Sequence, residues 1–169
     1  GPPLLKAATG EVATEEELGG AAMHAQVAGT AEYLAENDAD GIRQARDIVG
    51  MLGWDKIANT ASYAEPRFPI DDILGLIPCD LRKPYDVRSI IACLVDDSNF
   101  LDFKTEFDNQ TVCGWASIGD VTIGIIGNNG PITPQGAAKA SQFIQLCDQT
   151  GRPLLFLHNT TGFMVGTES

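Results

Sequence analysis

Positive charge is scarce in this chain: 11 lysines and arginines face 23 aspartates and glutamates, a formal net charge of -12. A nucleic-acid backbone demands clustered Lys and Arg, so no nucleic-acid partner is expected. The same deficit offers an anionic ligand no general attraction, and such a ligand would need a local solution such as a helix N-terminus. Histidine is limited to His24 and His158. The four cysteines, Cys79, Cys93, Cys113 and Cys147, are too widely spaced for a CxxC or Cys/His cluster, so no metal is expected. Cys93, Cys113 and Cys147 lie in apolar patterns, where buried free thiols are common, and this fits a reducing compartment. Cys79 follows a proline in an expected loop. No run approaches membrane-spanning length, and the start lacks the basic region and apolar core of a signal peptide. A soluble protein with no membrane partner is therefore expected. Also missing are GxxxxGK[ST], GxGxxG and GxSxG, which removes the common phosphate, dinucleotide and serine-nucleophile motifs.

What is present divides into dissimilar halves. Thr14-Glu15-Glu16-Glu17 has capping-box spacing and predicts a short helix. In "DADGIRQARDIVGMLGW", Asp38 or Asp40 suits a cap, Ile42, Ala45, Ile48, Val49 and Leu52 share one helical face, and Gly53 suits the stop. Residues 55–84 are punctuated by Pro66, Pro69, Pro78 and Pro84, so much of that stretch is expected to be irregular or extended, as a surface linker. Asp86 suits the cap of a helix reaching about Val95, with Val87, Ile90, Ile91 and Leu94 inward. "VCGWASIGDVTIGIIG" predicts two strands around a Gly119-Asp120 hairpin turn. The second is apolar almost throughout, as when layers cover both faces of a sheet. Thr133 and Pro134 then open a helix with Ala137, Ala140, Phe143, Ile144 and Cys147 as its buried stripe, and Gly151 with Pro153 marks the exit. "PLLFLH" is one more buried strand. Strand, helix, strand in that order implies a parallel crossover. Asn128–Gly130 and Asn159–Gly162 would then lie beyond the C-terminal ends of the two strands, where α/β sheets commonly bind ligands.

The residues alone leave the chemistry open. His158 ends an apolar strand and reads as a hydrogen-bonded structural histidine ahead of a catalytic one, whereas His24, in an Ala/Gly-rich segment, suits a surface or a ligand lining. No pair of carboxylates has spacing diagnostic of acid–base work, and no catalytic side chain is assigned. Gly130, Gly162 and Gly166 are ordinary loop glycines or else donors of backbone N–H groups to an oxyanion, a role that needs no ionisable side chain. Phe163 and Met164 suit either packing or one wall of an acyl pocket.

A resemblance narrows this. "GPPLLKAATGE" (1–11), "LGGAAMH" (18–24), "VCGWASI" (112–118), "NNGPITPQGAAKASQFIQLC" (128–147) and "LLFLHNTTGFMVGTES" (154–169) resemble an internal piece of the carboxyltransferase β subunit of biotin-dependent acyl-CoA carboxylases. The runs look most like subunits acting on 3-methylcrotonyl-CoA or geranyl-CoA. The resemblance implies an α/β, crotonase-like (ClpP/crotonase) β-β-α superhelix, with parts of two repeated domains. Residues 1–65 would end the N-terminal carboxyltransferase domain, 66–84 would be the linker, and 85–169 would begin the C-terminal domain. The start at Gly1 without Met, and the stop at Ser169 after a glycine-rich run, fit a piece of something longer. The main oxyanion-hole turns would lie outside it, and the isolated chain would be inactive.

The resemblance also implies the partners and the chemistry. These are a biotin-containing α subunit, further β subunits in a hexameric core, and an acyl-CoA thioester as substrate. Carboxybiotin, carried by the partner subunit, would release carbon dioxide, and its ureido oxygen would take the γ proton of an α,β-unsaturated thioester. Protein amides would stabilise the oxyanions. Asn129, Gly130, Gly162, Phe163 and Gly166 would then border the cofactor, and Ile132, Thr133 and Met164 the substrate pocket. "NNGPITPQGAAKA" departs from the methylcrotonyl pattern of larger hydrophobic residues after NNG, which turns the expectation toward geranyl-CoA, although Thr133 also reads as a plain N-cap. The location would be the cytoplasm in a bacterium or the mitochondrial matrix in a eukaryote. Two other readings stand beside this one, a noncatalytic α/β scaffold and a crotonase-type hydratase or isomerase, which would need an acid–base carboxylate.

Overall fold

The computed structural model describes residues 1–52, 64–80, 82–160 and 162–166. Helix α1 (Pro2–Thr9) starts on proline and ends at Gly10 in the left-handed region, φ 80°. Helix α2 (Glu15–Gly19) carries the expected capping box: Thr14 Oγ1 accepts the Glu17 amide at 3.2 Å, and the Glu17 carboxylate accepts the Thr14 amide at 2.7 Å. A π-helical turn follows over Met23–Val27.

Helix α3 spans Asp38–Met51, and its cap corrects the sequence reading. Asn37, rather than Asp38 or Asp40, accepts the Asp40 amide, at 3.0 Å. Asp40 instead accepts from the Glu36 amide and pairs with Arg43. The shared apolar stripe is largely open: Ile42, Val49 and Leu52 are 63%, 49% and 51% exposed, and Ala45 is exposed too. Periodicity marks which residues share a face, and says nothing of whether another element covers it. Ile48, with Met51, turns toward a cavity of about 370 Å³ whose far wall includes Leu101, Trp115 and Leu146. The expected stop at Gly53 lies outside the described residues.

Within the proline-punctuated stretch, prolines flank short helical turns. Pro69 precedes a 3-10 turn at Ile70–Asp72, α4 follows at Ile73–Leu76, and Pro78 comes just after it. The rest of the described stretch is irregular, as expected, and these turns fit because proline is excluded from helix interiors and not from their ends; residues 55–63 and 81 lie outside the described residues.

Helix α5 (Val87–Leu94) is capped by Asp86, which accepts the Arg88 amide at 2.9 Å. Val87, Ile90, Ile91 and Cys93 are buried, and Leu94 packs partly buried beside them. The sheet then forms from β1 (Leu101–Phe103), β2 (Thr111–Ile118), β3 (Val121–Asn128) and, after α6 (Pro134–Gln149), β4 (Leu154–Leu157). Its order is β1-β2-β3-β4, antiparallel except for the parallel pair β3–β4. Ile118 pairs with Val121, so Gly119-Asp120 is a two-residue turn. Both have positive φ, 60° and 64°, as a type I′ turn requires.

The sheet is covered on both faces. On one, Val87, Ile91 and Val95 pack against Val112, Ala116 and Ile125. On the other, Phe143 and Cys147 pack against Phe103, Cys113 and Ile126, with the Trp115 and Phe143 rings 4.7 Å apart. Consecutive Ile125 and Ile126 thus enter opposite layers, which explains the uninterrupted apolar run. A Cβ at Gly124 would meet Cys147 Sγ at 2.5 Å, so this glycine sets how closely α6 approaches β3.

The buried face of α6 differs from the expected stripe. Gly136, Lys139, Phe143 and Cys147 are buried, whereas Ala137 and Ile144 are exposed. Lys139 reaches the Asp108 carbonyl at 3.0 Å, and a Cβ at Gly136 would meet Thr111 Oγ1 at 2.2 Å. A stripe drawn from apolar residues alone misses a buried lysine and a contact glycine. No described helix is long and apolar enough to cross a membrane.

Candidate functional site

Both loops singled out from the sequence leave the sheet at one edge. Asn128 closes β3 and β4 ends at Leu157, and these strands are parallel neighbours. The loops are also joined. Ile132 and Phe163 form a parallel bridge in which the Ile132 amide donates to the Gly162 carbonyl at 2.9 Å and the Met164 amide donates to the Ile132 carbonyl at 2.8 Å.

Each residue has a definable place in this arrangement. Asn129 accepts the Val87 amide at 2.8 Å and donates to Asp86 at 3.1 Å, while its own amide donates to the Gln110 carbonyl at 2.7 Å. Gly130 lies against Gln110, where a Cβ would come within 2.0 Å of Oε1. Thr133 caps α6 by accepting the Gly136 amide at 2.9 Å, and its hydroxyl donates to Asp108 at 2.8 Å. The Thr133 hydroxyl thus both caps α6 and is held by Asp108. Gly162 adopts φ 127°, a conformation that favours glycine, and its amide donates to Thr160 Oγ1 at 3.2 Å. Gly166 lies further along the same segment, with φ 152°. Between the paired Gly162 and Met164 amides, the Phe163 N–H meets no acceptor among the described residues. Phe163, Met164 and Val165 are 74%, 45% and 88% exposed, giving the loop an apolar outer surface.

Sequence reasoning missed Asp108 and Lys139. Asp108, at φ 52°, accepts the Thr111 amide at 2.7 Å and the Thr133 hydroxyl, and its carbonyl holds Lys139. Burial pulls the Lys139 ammonium below its usual range, opposed by nearby Asp102, Cys113 and Asp108. The only available signal was negative: a Lys in a helix whose neighbouring positions are small.

The remaining candidates resolve simply. His158 is exposed, its ring 5.9 Å from that of Phe156, which corrects the reading of a hydrogen-bonded structural histidine. His24 lies on the surface with Nδ1 2.7 Å from Thr30 Oγ1. Cys93, Cys113 and Cys147 are buried and Cys79 exposed, all free thiols. Burial pushes Cys113 up to about 12 and Cys147 to about 11. Among the described residues no group of three or more His, Cys, Asp or Glu is placed to hold a metal ion.

The carboxyl transferase domain model matches residues 1–169. The chain belongs to the carboxyl transferase family. It is similar, at 66% identity and TM-score 0.63, to the crystal structure of the P. aeruginosa geranyl-CoA carboxylase beta subunit, covering 100% of this chain and 32% of that one. A transcarboxylase 12S structure, described as a hexamer assembly with methylmalonyl-coenzyme A bound, aligns at TM-score 0.87 and 30% identity over 99% of this chain and 34% of its own. Among curated relatives, the mitochondrial methylcrotonoyl-CoA carboxylase beta chain of Dictyostelium discoideum is 45% identical over 98% of this chain. A probable biotin-dependent acyl-coenzyme A carboxylase beta2 subunit of Mycobacterium tuberculosis is 46% identical over 99%. The chain spans 29% and 32% of those relatives' lengths. This carboxyl transferase domain has the crotonase-like α/β fold of its structural neighbours, here built on a four-stranded sheet.

Proposed function

We propose that this chain supplies part of the carboxyltransferase site of a biotin-dependent acyl-CoA carboxylase β subunit, with geranyl-CoA as preferred substrate over 3-methylcrotonyl-CoA. The observation that carries the reading is the Ile132–Phe163 bridge, which fuses the two loops into one rim in a chain 66% identical to a geranyl-CoA carboxylase beta subunit. Carboxybiotin, delivered by a biotin-bearing α subunit, would supply both the carbon dioxide and the base, so the chain's own task is positioning. Phe163 offers an amide with no acceptor among the described residues, suited to a developing oxyanion, while Gly162 on one side and Met164 on the other are held by their own hydrogen bonds. Gly130 and Gly166 allow close approach, and the apolar Phe163 and Met164 side chains, with Ile132 behind them, shield an acyl chain from water.

The division into 1–65, 66–84 and 85–169 is supported by the distribution of burial. Both apolar clusters draw only on residues from Val87 onward, plus partly buried neighbours in the same region. Assembly into a hexamer with other β subunits follows the transcarboxylase 12S core. A bacterial cytoplasm is the proposed location, because identity to the P. aeruginosa subunit, 66%, exceeds the 45% to a mitochondrial relative.

A structure of the intact β subunit with its α partner, biotin and an acyl-CoA tests the reading. Both loops should border one shared cleft in contact with cofactor or thioester. Loops lying far from both ligands would leave a noncatalytic scaffold as the better description.

A further inference from the structure

Among the polar groups that tie the rim to the rest of the molecule is a short chain through Asp86 and Arg88. Asp86 Oδ1 accepts from the Arg88 amide at 2.9 Å, from Arg88 Nη1 at 3.3 Å and from Asn129 Nδ2 at 3.1 Å. Arg88 in turn donates through Nε to Asp102 on β1 at 2.5 Å, and the Asp102 side chain is only 16% exposed. Asn129 spends Oδ1 on the Val87 amide, so its side chain closes the N-terminus of α5 while its backbone turns the loop. Three residues on, Ile132 carries the bridge to Gly162 and Met164. Three residues of backbone, Asn129 to Ile132, therefore join the clamped side chain to the bridge that carries the Phe163 amide.

We propose that Asp86 and Asn129 form a positioning clamp: the Asn129 amide holds the loop rather than a ligand, and Asp86 sets the orientation of the rim. Asp86 is consequently a positioning residue, acting at a distance from the reacting atoms through Asn129 and the Ile132–Phe163 bridge. The kinetic part of this inference rests on the carboxyltransferase reading, whereas the conformational part does not.

The geometry supplies a swap that separates holding from contacting. Asn129→Asp keeps the acceptor for the Val87 amide but sets a carboxylate against the Asp86 carboxylate with no donor between them. Adding Asp86→Asn restores one amide and one carboxylate across the gap, with polarity reversed, while the new Asn still accepts from Arg88. In the intact β subunit with its α partner, Asn129→Asp should lower kcat about tenfold or more with KM little changed, because the rim is misplaced by a fraction of an ångström. Asp86→Asn/Asn129→Asp should recover most of that loss. In parallel, hydrogen exchange in the peptides spanning 128–134 and 159–166 should quicken about tenfold in Asn129→Asp and return toward the parent in the swap. Loss of activity that the swap does not rescue, with exchange restored, would mean that Asn129 contacts the ligand, and the proposal fails. Unchanged exchange in Asn129→Asp also overturns it. An intact subunit inactive on every acyl-CoA would strike the carboxyltransferase reading alone, and the exchange measurement would still decide the clamp.

Discussion

Thr133 shows how much one side chain settles at this site. Its hydroxyl caps α6 and reaches Asp108, so Thr133→Ala removes the cap and leaves Asp108 with one donor fewer. The expected cost is about 1–2 kcal/mol. Urea unfolding of the intact subunit measures it, and Thr133→Ser should recover most of the loss, since the hydroxyl rather than the methyl carries both bonds. The cysteines give a second expectation at this scale. Raised pKa values deplete the thiolate at any given pH, and the thiolate is the reactive form. With Cys113 near 12 and Cys147 near 11, and both buried, iodoacetamide at pH 8 should label Cys79 first and leave these two intact until the protein unfolds. Peptide mapping by mass spectrometry reads this directly, and early labelling of Cys113 would contradict the described packing.

Elements were legible in proportion to how locally they are determined. The Gly119-Asp120 turn, the Thr14 capping box, the Asp86 cap and the Thr133-Pro134 start all depend on a few adjacent residues, and the structure has each of them. Faces and covers were less legible because they depend on partners distant in sequence. The α6 stripe shifted because Lys139 is buried by a carbonyl 31 residues away. Lys104, 4% exposed, escaped notice for the same reason: its ammonium bonds the Gly29 carbonyl and lies 5.7 Å from the Phe103 and Phe107 ring centroids. The α3 cap failed for a different reason, since three residues within four positions, Asn37, Asp38 and Asp40, all favour such a position. Asn37→Ala should therefore cost about 1 kcal/mol in thermal or urea unfolding, and Asp38→Ala much less. The reverse order would move the start of α3 back to the sequence-based position. Within the site, the loop positions were legible from strand–helix–strand order, but their union through Ile132 and Phe163 was not, because a two-bond bridge has no periodicity to read.

At the scale of the whole molecule, the two halves differ in how they are held. Buried hydrophobic residues concentrate from Val87 onward, with Ala25 the exception in the first 52 residues. Those early residues are instead fastened to the later half by polar bonds, among them the Lys104 amide, just after β1, to the Glu32 carbonyl at 3.2 Å and Gln142 of α6 to the Glu32 carboxylate at 3.1 Å. Helices α1 and α3 keep apolar side chains open to solvent, including Leu4 at 71% and Ile42 at 63%. Such faces suit burial against other parts of a larger carboxyltransferase assembly.

Whether this rim serves carboxyl transfer to a branched enoyl thioester is decided by substrate discrimination. The intact β subunit, assembled with its biotin-bearing α partner, should be assayed for kcat/KM with geranyl-CoA, 3-methylcrotonyl-CoA, propionyl-CoA and acetyl-CoA. Carboxylation of both branched enoyl thioesters is expected, with geranyl-CoA ahead by about tenfold or more, a difference of about 1.4 kcal/mol in transition-state binding. Strong preference for 3-methylcrotonyl-CoA would contradict the geranyl assignment, and activity confined to acetyl- or propionyl-CoA would contradict the branched-enoyl reading as a whole.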